Sequence, residues 1–348
     1  MHQSRADGQV DPVHLWRSGG DPGSLAEAVK RNSAEGGFEM GVRFRWNGYA
    51  CWEIQLPSGK VWLTDPYIDH CPTCKISYTQ LTGADYITVS HAHADHSQDV
   101  GAVAGRFNSK IYASPEAVDW MKFYFDLPEG RFVRTAHKHS YVLEGGEKLT
   151  TFWGRHIDGI AVYRRQYKQI TGKDADPNWT DQEVTQNLRA LSRRRTQQAA
   201  QAPAPPPVLP PEEQELRRRF AARRSMSADH QRNYLLETTD NMRIFFYEGG
   251  IEQDLIDMVK ENVRANWTIM MCNRANEPEY GHMAALTGAE IVMANHHDNT
   301  PNDHATYLTA NIMFDHTVKE NPKAKPFNPI RGQWYELGIG VAAAGAAV

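Results

Sequence analysis

Apolar and polar residues alternate along the chain between residues 41 and 64, which is the pattern of half-buried strands. Val42–Trp46, Cys51–Leu56 and Val61–Thr64 each show it, and the turn-forming run Pro57–Lys60 separates the last two. The following apolar run, Ala84–Ser90, is typical of an inner strand. We therefore predict an antiparallel meander followed by a buried strand.

The rest of the chain predicts alternating strands and helices. Ser114 and Pro115 form a helix start, with serine as the N-cap and proline at the first helical position, and this helix should run to about Phe125. A long helix at Asp303–Val318 should close the fold, which we predict to be α/β, with two sheets sandwiched by helices. The other predicted strands are Ile111–Ala113, Lys148–Trp153, Tyr234–Thr238, Arg243–Tyr247, Trp267–Met271 and Glu290–Met293, with a helix at Asp254–Val263.

Residues 165–232 differ in composition and predict an insertion in the domain. Thr180 and Glu183 fit a capping box that would begin a helix reaching Arg195. The proline-rich run Ala202–Pro211 interrupts helical structure, and a second charged helix is predicted at Glu212–Arg224. We thus divide the chain into a loosely ordered extension at 1–39, a domain at 40–337 interrupted by this charged, proline-rich insertion, and a flexible tail at 338–348.

Composition excludes few functions, but it makes nucleic-acid binding and membrane association less favoured. Of the 348 residues, 41% are hydrophobic and the net charge is −4, so there is no general attraction to nucleic acid or to anionic membranes. No stretch approaches the roughly 20 apolar residues of a membrane helix, and no secretory signal is evident. We expect a cytoplasmic protein. Four cysteines, among them the Cys71–Cys74 pair whose role the sequence leaves open, are too few for a disulfide scaffold.

A cluster of metal-ligating residues follows the buried strand. His91 and His93 are two residues apart, and such side chains share one face of an extended segment, so both can approach one ion. Asp95 and His96 follow at once and can reach a second ion from the next turn. Imidazole suits zinc, and the carboxylate is a harder ligand that also tolerates manganese or iron. Three histidines and an aspartate within six residues favour a metal site over unrelated surface histidines.

This motif resembles the His-x-His-x-Asp-His signature of the metallo-β-lactamase superfamily. The Leu63–Pro66 segment, a strand ending in Asp-Pro before the motif, is similar to the L-ascorbate-6-phosphate lactonase-like branch of metal-dependent hydrolases. The resemblance covers roughly 41–330 without the insertion. It implies a four-layer αββα sandwich with two divalent metal ions, zinc first and manganese or iron as alternatives.

The resemblance also implies ligands farther along the chain. His156, just after a strand, best fits the third histidine of the first ion, with His137 and His139 as competitors. His296 is favoured over His297 for the second ion, and His297 becomes an outer residue beside the ligands. The family places an aspartate where this chain has Glu248, which could bridge the ions, bind one, carry a proton, or be an ordinary strand-end glutamate. Asp65 either orients ligand histidines or forms a turn before proline.

These assignments predict a hydrolase in which a metal-bound hydroxide cleaves a lactone, ester or amide of a small molecule, with Asp95 and Glu248 as catalytic residues. A phosphodiesterase or nuclease of the same fold is the alternative enzyme, with nucleic acid the less favoured substrate. A metal-binding regulatory protein with a weakened centre is the alternative from another class, and a redox di-iron enzyme is more remote. No membrane partner is expected, and a homo-oligomer is left open.

Overall fold

The computed structural model describes residues 41–156, 230–272, 276–298 and 303–337, with short runs and single positions between 164 and 228; at 303–308 and 337 it describes the backbone alone. The predicted extension at 1–39, the tail at 338–348, the proline-rich run except Pro211, most of the first charged helix and all of the second lie outside the described residues. Thr180 and Glu183 are described, and they form the reciprocal capping bonds: Thr180 N donates to Glu183 Oε2 (2.7 Å) and Glu183 N to Thr180 Oγ1 (3.3 Å).

The described strands form two sheets of seven. The first has the order β14-β1-β2-β3-β4-β5-β6, and the second has the order β13-β12-β11-β10-β9-β8-β7. Strands of the first sheet are β1 (Val42–Gly48), β2 (Cys51–Gln55), β3 (Val61–Thr64), β4 (Tyr86–Val89), β5 (Lys110–Ala113), β6 (Phe132–Arg134) and β14 (Tyr335–Leu337). Those of the second are β7 (His139–Val142), β8 (Lys148–Gly154), β9 (Gln231–Glu237), β10 (Arg243–Tyr247), β11 (Trp267–Met271), β12 (Ile291–Asn295) and β13 (Lys325–Phe327).

Helices cover the outer face of each sheet. They are α1 (Ala94–Ser97), α2 (Val100–Phe107), α3 (Pro115–Phe125), α4 (Gln253–Asn262), α5 (Glu277–Leu286) and α6 (Asp303–Glu320), with 3₁₀ turns at Tyr78–Gln80 and Glu129–Arg131. One apolar cluster packs the first sheet against α2 and α3, and another packs the second sheet against α4, α5 and α6. The predicted four-layer αββα sandwich is therefore confirmed.

The space between the sheets is filled by large side chains from both. Phe44 and Trp52 of β1 and β2 pack with Phe246 and Trp267 of the second sheet, and the rings of Phe44 and Trp267 lie 5.4 Å apart. Each fully buried apolar side chain of this size contributes roughly 1.5–3 kcal/mol of transfer free energy. This shared core joins the two sheets face to face.

Most predicted elements are present, with boundary shifts of a few residues. The meander β1-β2-β3 is antiparallel, as the alternation indicated. The expectation that the long helix closes the fold was wrong: after α6, β13 extends the second sheet and β14 pairs with β1. The short edge strands β6, β7, β13 and β14 were not predicted, because three or four residues are too few to show a period. Strand β9 begins at Gln231, inside the span assigned to the insertion.

Candidate metal centre

The candidate ligands meet where strands of both sheets end. His91 and His93 follow β4, and His93 is the N-cap residue of α1, whose first turn carries Asp95 and His96. In the second sheet β8, β10 and β12 run in the same direction, since β9 is antiparallel to both β8 and β10 and the β10-β11-β12 pairs are parallel. Their carboxyl ends therefore lie at one edge, and there they present His156, Glu248 and His296.

Hydrogen bonds between the sheets hold this edge together. Arg232 N, at the start of β9, donates to Ser90 O (2.9 Å), and the Tyr234 hydroxyl donates to Val89 O (2.7 Å). On the side of the second sheet, His156 N donates to Ala228 O (3.0 Å), which joins the end of β8 to the segment before β9. The segment that carries His91 is thus fixed against the second sheet.

The first cluster consists of His91, His93 and His156. One ligand atom from each lies within 4.8 Å of the others, and His91 Nε2 is 2.9 Å from His93 Nδ1. The His156 ring is 5.0 Å from that of His91 and 4.7 Å from that of His93. Burial, followed by the neighbouring imidazoles, holds the pKa of His91 well below its usual value. A neutral imidazole is the form that binds a metal ion.

The second cluster consists of Asp95, His96 and His296, whose ligand atoms again lie within 4.8 Å of one another. His296 Nε2 is 3.3 Å from Asp95 Oδ2, and the rings of His96 and His296 are stacked at 5.0 Å. Burial alone would raise the pKa of Asp95, but His96 and His296 lower it far more. Burial lowers the pKa of His296, but Asp95 and Glu248 overcome this and raise it to about 9.

The two clusters are neighbours in space. The ring centroids of His91 and His96 lie 4.1 Å apart, although each residue belongs to a different cluster. The arrangement is therefore one site with two adjacent sets of ligand atoms, rather than two separate sites.

Asp65 lies behind the histidines and contacts both the chain and a ring. Its carboxylate accepts bonds from Ser90 N and Ser90 Oγ (both 2.6 Å), and its Oδ2 is 2.8 Å from His96 Nδ1. Ser90 Oγ is in turn 3.1 Å from His91 Nδ1. These contacts orient the Nδ1 side of both rings towards the interior and leave each Nε2 for the cluster. Asp65 therefore contacts the candidate ligand His96, as expected if it orients a ligand histidine.

Glu248 is buried at the same edge but belongs to neither cluster. Its Oε1 accepts a bond from Asn295 Nδ2, and Asn295 Oδ1 accepts from Trp52 Nε1 at 2.7 Å. Its Oε2 is buried and has no hydrogen-bond partner among the described residues. Burial raises the pKa of Glu248 to about 7, against the opposing effect of His296 and His96.

The remaining candidates lie apart from both clusters. His297 stacks on Trp46 at 4.8 Å, and burial lowers its pKa to about 4; no hydrogen bond to a candidate ligand is seen within the described part of the chain. His137 Nδ1 accepts from Trp153 N (3.0 Å), and His139 is exposed on the edge strand β7. All four cysteines are free thiols.

The donor set fits divalent metal ions. An unpartnered, buried Glu248 Oε2 and an unpartnered His296 Nδ1 lie at the edge where five imidazoles and a carboxylate converge. Buried polar atoms normally have partners, and clustered imidazoles repel one another when protonated. The ligand atoms of each cluster lie within 4.8 Å of one another. This separation is of the order expected around one ion whose bonds to nitrogen or oxygen are about 2.0–2.2 Å long.

Ser90, Asn295 and Tyr49 contact these residues but were not predicted from the sequence. Ser90 directly precedes His91, and Asn295 directly precedes His296, so adjacency to a ligand was the available signal. Tyr49 lies in a hairpin turn more than 40 residues before the motif, and nothing local marks it. Its ring is 5.2 Å from that of His296.

Comparison with known proteins agrees with the architecture. Residues 43–180 match the model of a β-lactamase superfamily domain. A metallo hydrolase from the archaeon Ignicoccus hospitalis superposes with a TM-score of 0.54, covering 86% of this chain and 100% of its own, at 13% sequence identity. The chain has the metallo-β-lactamase fold. At 13% sequence identity, the superposition on the Ignicoccus hospitalis protein shows similarity of fold alone.

Curated relatives match over part of their length. A UPF0173 metal-dependent hydrolase from Cupriavidus necator is 39% identical over 134 residues, which are 37% of this chain and 45% of the relative. Another from Solibacter usitatus is 35% identical over 85 residues, 23% of this chain and 35% of the relative. The chain thus spans about a third to a half of the curated relatives it matches. These relatives are described as metal-dependent hydrolases, and none of the matches distinguishes the ascorbate-6-phosphate lactonase branch.

Among the described residues, no helix is both long and apolar enough to cross a membrane.

Proposed function

We propose that this protein is a metal-dependent hydrolase that uses two adjacent divalent ions to cleave a lactone, ester or amide bond of a small molecule. The observation that carries the proposal is the pair of neighbouring clusters, one with three histidines and one with two histidines and an aspartate. The curated relatives described as metal-dependent hydrolases support the same reading.

The proposal assigns a role to each residue. His91, His93 and His156 hold one ion, and Asp95, His96 and His296 hold the other. Nitrogen-rich ligand sets favour zinc, and the carboxylate keeps manganese and iron open as alternatives. When bound, such ions lower the pKa of water to about 7 and polarise the bond to be cleaved.

The surrounding carboxylates orient the ligand histidines and the attacking water. Asp65 accepts a hydrogen bond from the Nδ1–H group of His96, which leaves Nε2 with its lone pair towards the cluster. Glu248, with one oxygen held by Asn295 and the other unpartnered, supplies a further ligand oxygen at the strand edge. Asp95 is the carboxylate with the greater exposure, its side chain being 36% accessible, and it would orient the attacking water.

Metal content tests this proposal directly. Protein purified without added metal is analysed by inductively coupled plasma mass spectrometry, for the wild type and for His91→Ala, His296→Ala and Glu248→Ala. His282→Ala serves as the matched control, because His282 is an exposed histidine paired with Glu320. We expect about two ions per chain in the wild type and the control, as in two-metal hydrolases. Both histidine variants should lose metal, and Glu248→Ala should hold less.

Substrate class follows from a second measurement on the metal-loaded protein. A panel of a lactone, an ester, an amide and a phosphodiester should show turnover on one of the first three. Turnover on the phosphodiester alone would replace the proposed substrate class. Two bound ions without turnover on any of the four would favour the metal-binding regulatory protein, and no bound metal after soaking in zinc or manganese would refute the hydrolase.

A further inference from the structure

The hairpin between β1 and β2 ends in an uncommon backbone conformation. Gly48 has a φ of 113°, and the next residue, Tyr49, has a φ of 47°. The left-handed region suits glycine or asparagine, and a bulky residue there is an outlier. An outlier of this kind persists when the surrounding structure holds it, and such residues concentrate at functional sites.

Contacts to the metal-centre side of the fold hold Tyr49 in place. Tyr49 N donates to Asp298 Oδ1 (2.8 Å), and Tyr49 O accepts from His296 N (3.1 Å) and Trp46 Nε1 (2.9 Å). The buried Asp298 is itself fixed, since its Oδ2 accepts from Arg331 Nη1 at 3.0 Å. Both main-chain polar groups of Tyr49 are therefore engaged, one of them by a candidate metal ligand.

The side chain of Tyr49 packs against that same ligand. Its ring meets the ring of His296 edge-on at 5.2 Å and 74°, and it meets the ring of Tyr67 at 5.3 Å and 79°. Tyr67 follows Asp65 by two residues, so the loop that orients His96 also supports this pair. Both tyrosines are half-buried.

Ring packing alone does not account for a tyrosine at this position. Phenylalanine would pack against His296 equally well, and asparagine or glycine would relieve the backbone. What tyrosine adds is a hydroxyl donor on a ring that packs against both His296 and Tyr67, beside one cluster of candidate ligands. Donors that are fixed before the reaction stabilise negative charge effectively, because they do not need to reorient.

We propose that Tyr49 is a substrate-binding residue, whose hydroxyl donates a hydrogen bond to the carbonyl oxygen of the group being cleaved, on the His296 side of the centre. As water adds to the substrate, negative charge grows on that oxygen and the hydrogen bond strengthens. Tyr67 is a positioning residue that holds the Tyr49 ring. This inference rests on the proposed hydrolase function, and it adds a contact from outside the metal ligands.

Tyr49→Phe removes the hydroxyl and keeps the ring. Tyr78→Phe is the matched control, since Tyr78 lies on a 3₁₀ turn and belongs to neither cluster. Three properties are measured for each variant: metal content, kcat and KM on p-nitrophenyl acetate and a lactone, and binding of acetohydroxamate to cobalt-loaded protein, followed by visible absorption. Acetohydroxamate carries an oxygen anion and needs no turnover, so this arm is independent of the substrate.

We expect Tyr49→Phe to keep the wild-type metal content, to lose roughly 100-fold in kcat with a smaller change in KM, and to bind acetohydroxamate about tenfold more weakly. Tyr78→Phe should match the wild type throughout. If the wild type turns over neither substrate, the proposed function fails, and the hydroxamate arm still decides the role of Tyr49. Equal hydroxamate binding by wild type and Tyr49→Phe, or no binding by the wild type, would overturn the inference.

Discussion

Replacing Asp65 by asparagine should weaken metal binding at the second cluster without disturbing the fold. Asp65 has a φ of 38°, a region that asparagine tolerates, and its side chain has nearly the same shape. Its carboxylate accepts three bonds, two from Ser90 and one from His96 Nδ1. The asparagine oxygen can keep the bond from Ser90 N. The amide NH₂ group then faces His96 Nδ1, so that Nδ1 must accept a hydrogen bond instead of donating one.

That reversal changes the tautomer of His96. With Nδ1 as an acceptor the ring proton moves to Nε2, the nitrogen that faces Asp95 in the second cluster. An Nε2 that carries a proton cannot bind a metal ion. Loss of such an outer hydrogen bond typically lowers metal affinity by about 10- to 100-fold, which corresponds to about 1.4–2.7 kcal/mol.

Competition with a chromophoric chelator measures this change. Zinc or cobalt is titrated into metal-free wild type and Asp65→Asn, and the affinity is fitted for each of the two ions. Asp99→Asn is the matched control, because Asp99 is also buried and its Oδ1 lies 2.6 Å from a histidine nitrogen, that of His70, outside both clusters. We expect weaker binding of one ion in Asp65→Asn alone. If Asp65→Asn bound both ions with the wild-type affinities, the tautomer argument would be refuted.

Two further predictions concern stability, and urea unfolding midpoints measure both. Gly48→Ala should lower the free energy of unfolding by about 1–3 kcal/mol, because its Cβ would lie 3.1 and 3.3 Å from neighbouring side-chain oxygens at a φ of 113°. The control Gly59→Ala should lower the free energy of unfolding by less, because no atom lies within 4 Å of its Cβ, although its φ is 81°. Glu53→Gln should cost about 3–5 kcal/mol, because Glu53 is fully buried and accepts bonds from Arg45 Nε (2.6 Å) and Thr82 N (2.7 Å). An equal loss in both glycine variants, or an unchanged midpoint in Glu53→Gln, would contradict these two arguments.

The strands and helices with clear periods were predictable because their pattern is local. The β1-β2-β3 meander, β4, β10 and α3 all follow from alternation, turn residues and the Ser114–Pro115 helix start. The grouping of His91, His93, Asp95 and His96 was equally local, since all four lie within six residues. Short edge strands escaped prediction because β6, β13 and β14 have three residues each.

Contacts across long sequence separations could be decided only by the tertiary structure. Spacing alone left His137 and His139 as competitors of His156, and His297 as a competitor of His296. The ends of β8 and β12 bring His156 and His296 to the clusters. The partners of Glu248 and the contact between Tyr49 and His296 join residues far apart in the sequence, and they have no local signal. The physical reason is that the candidate metal centre is assembled from the ends of several strands. The sequence by itself determined which residues can bind metal, and the packing of the two sheets decided which of them meet.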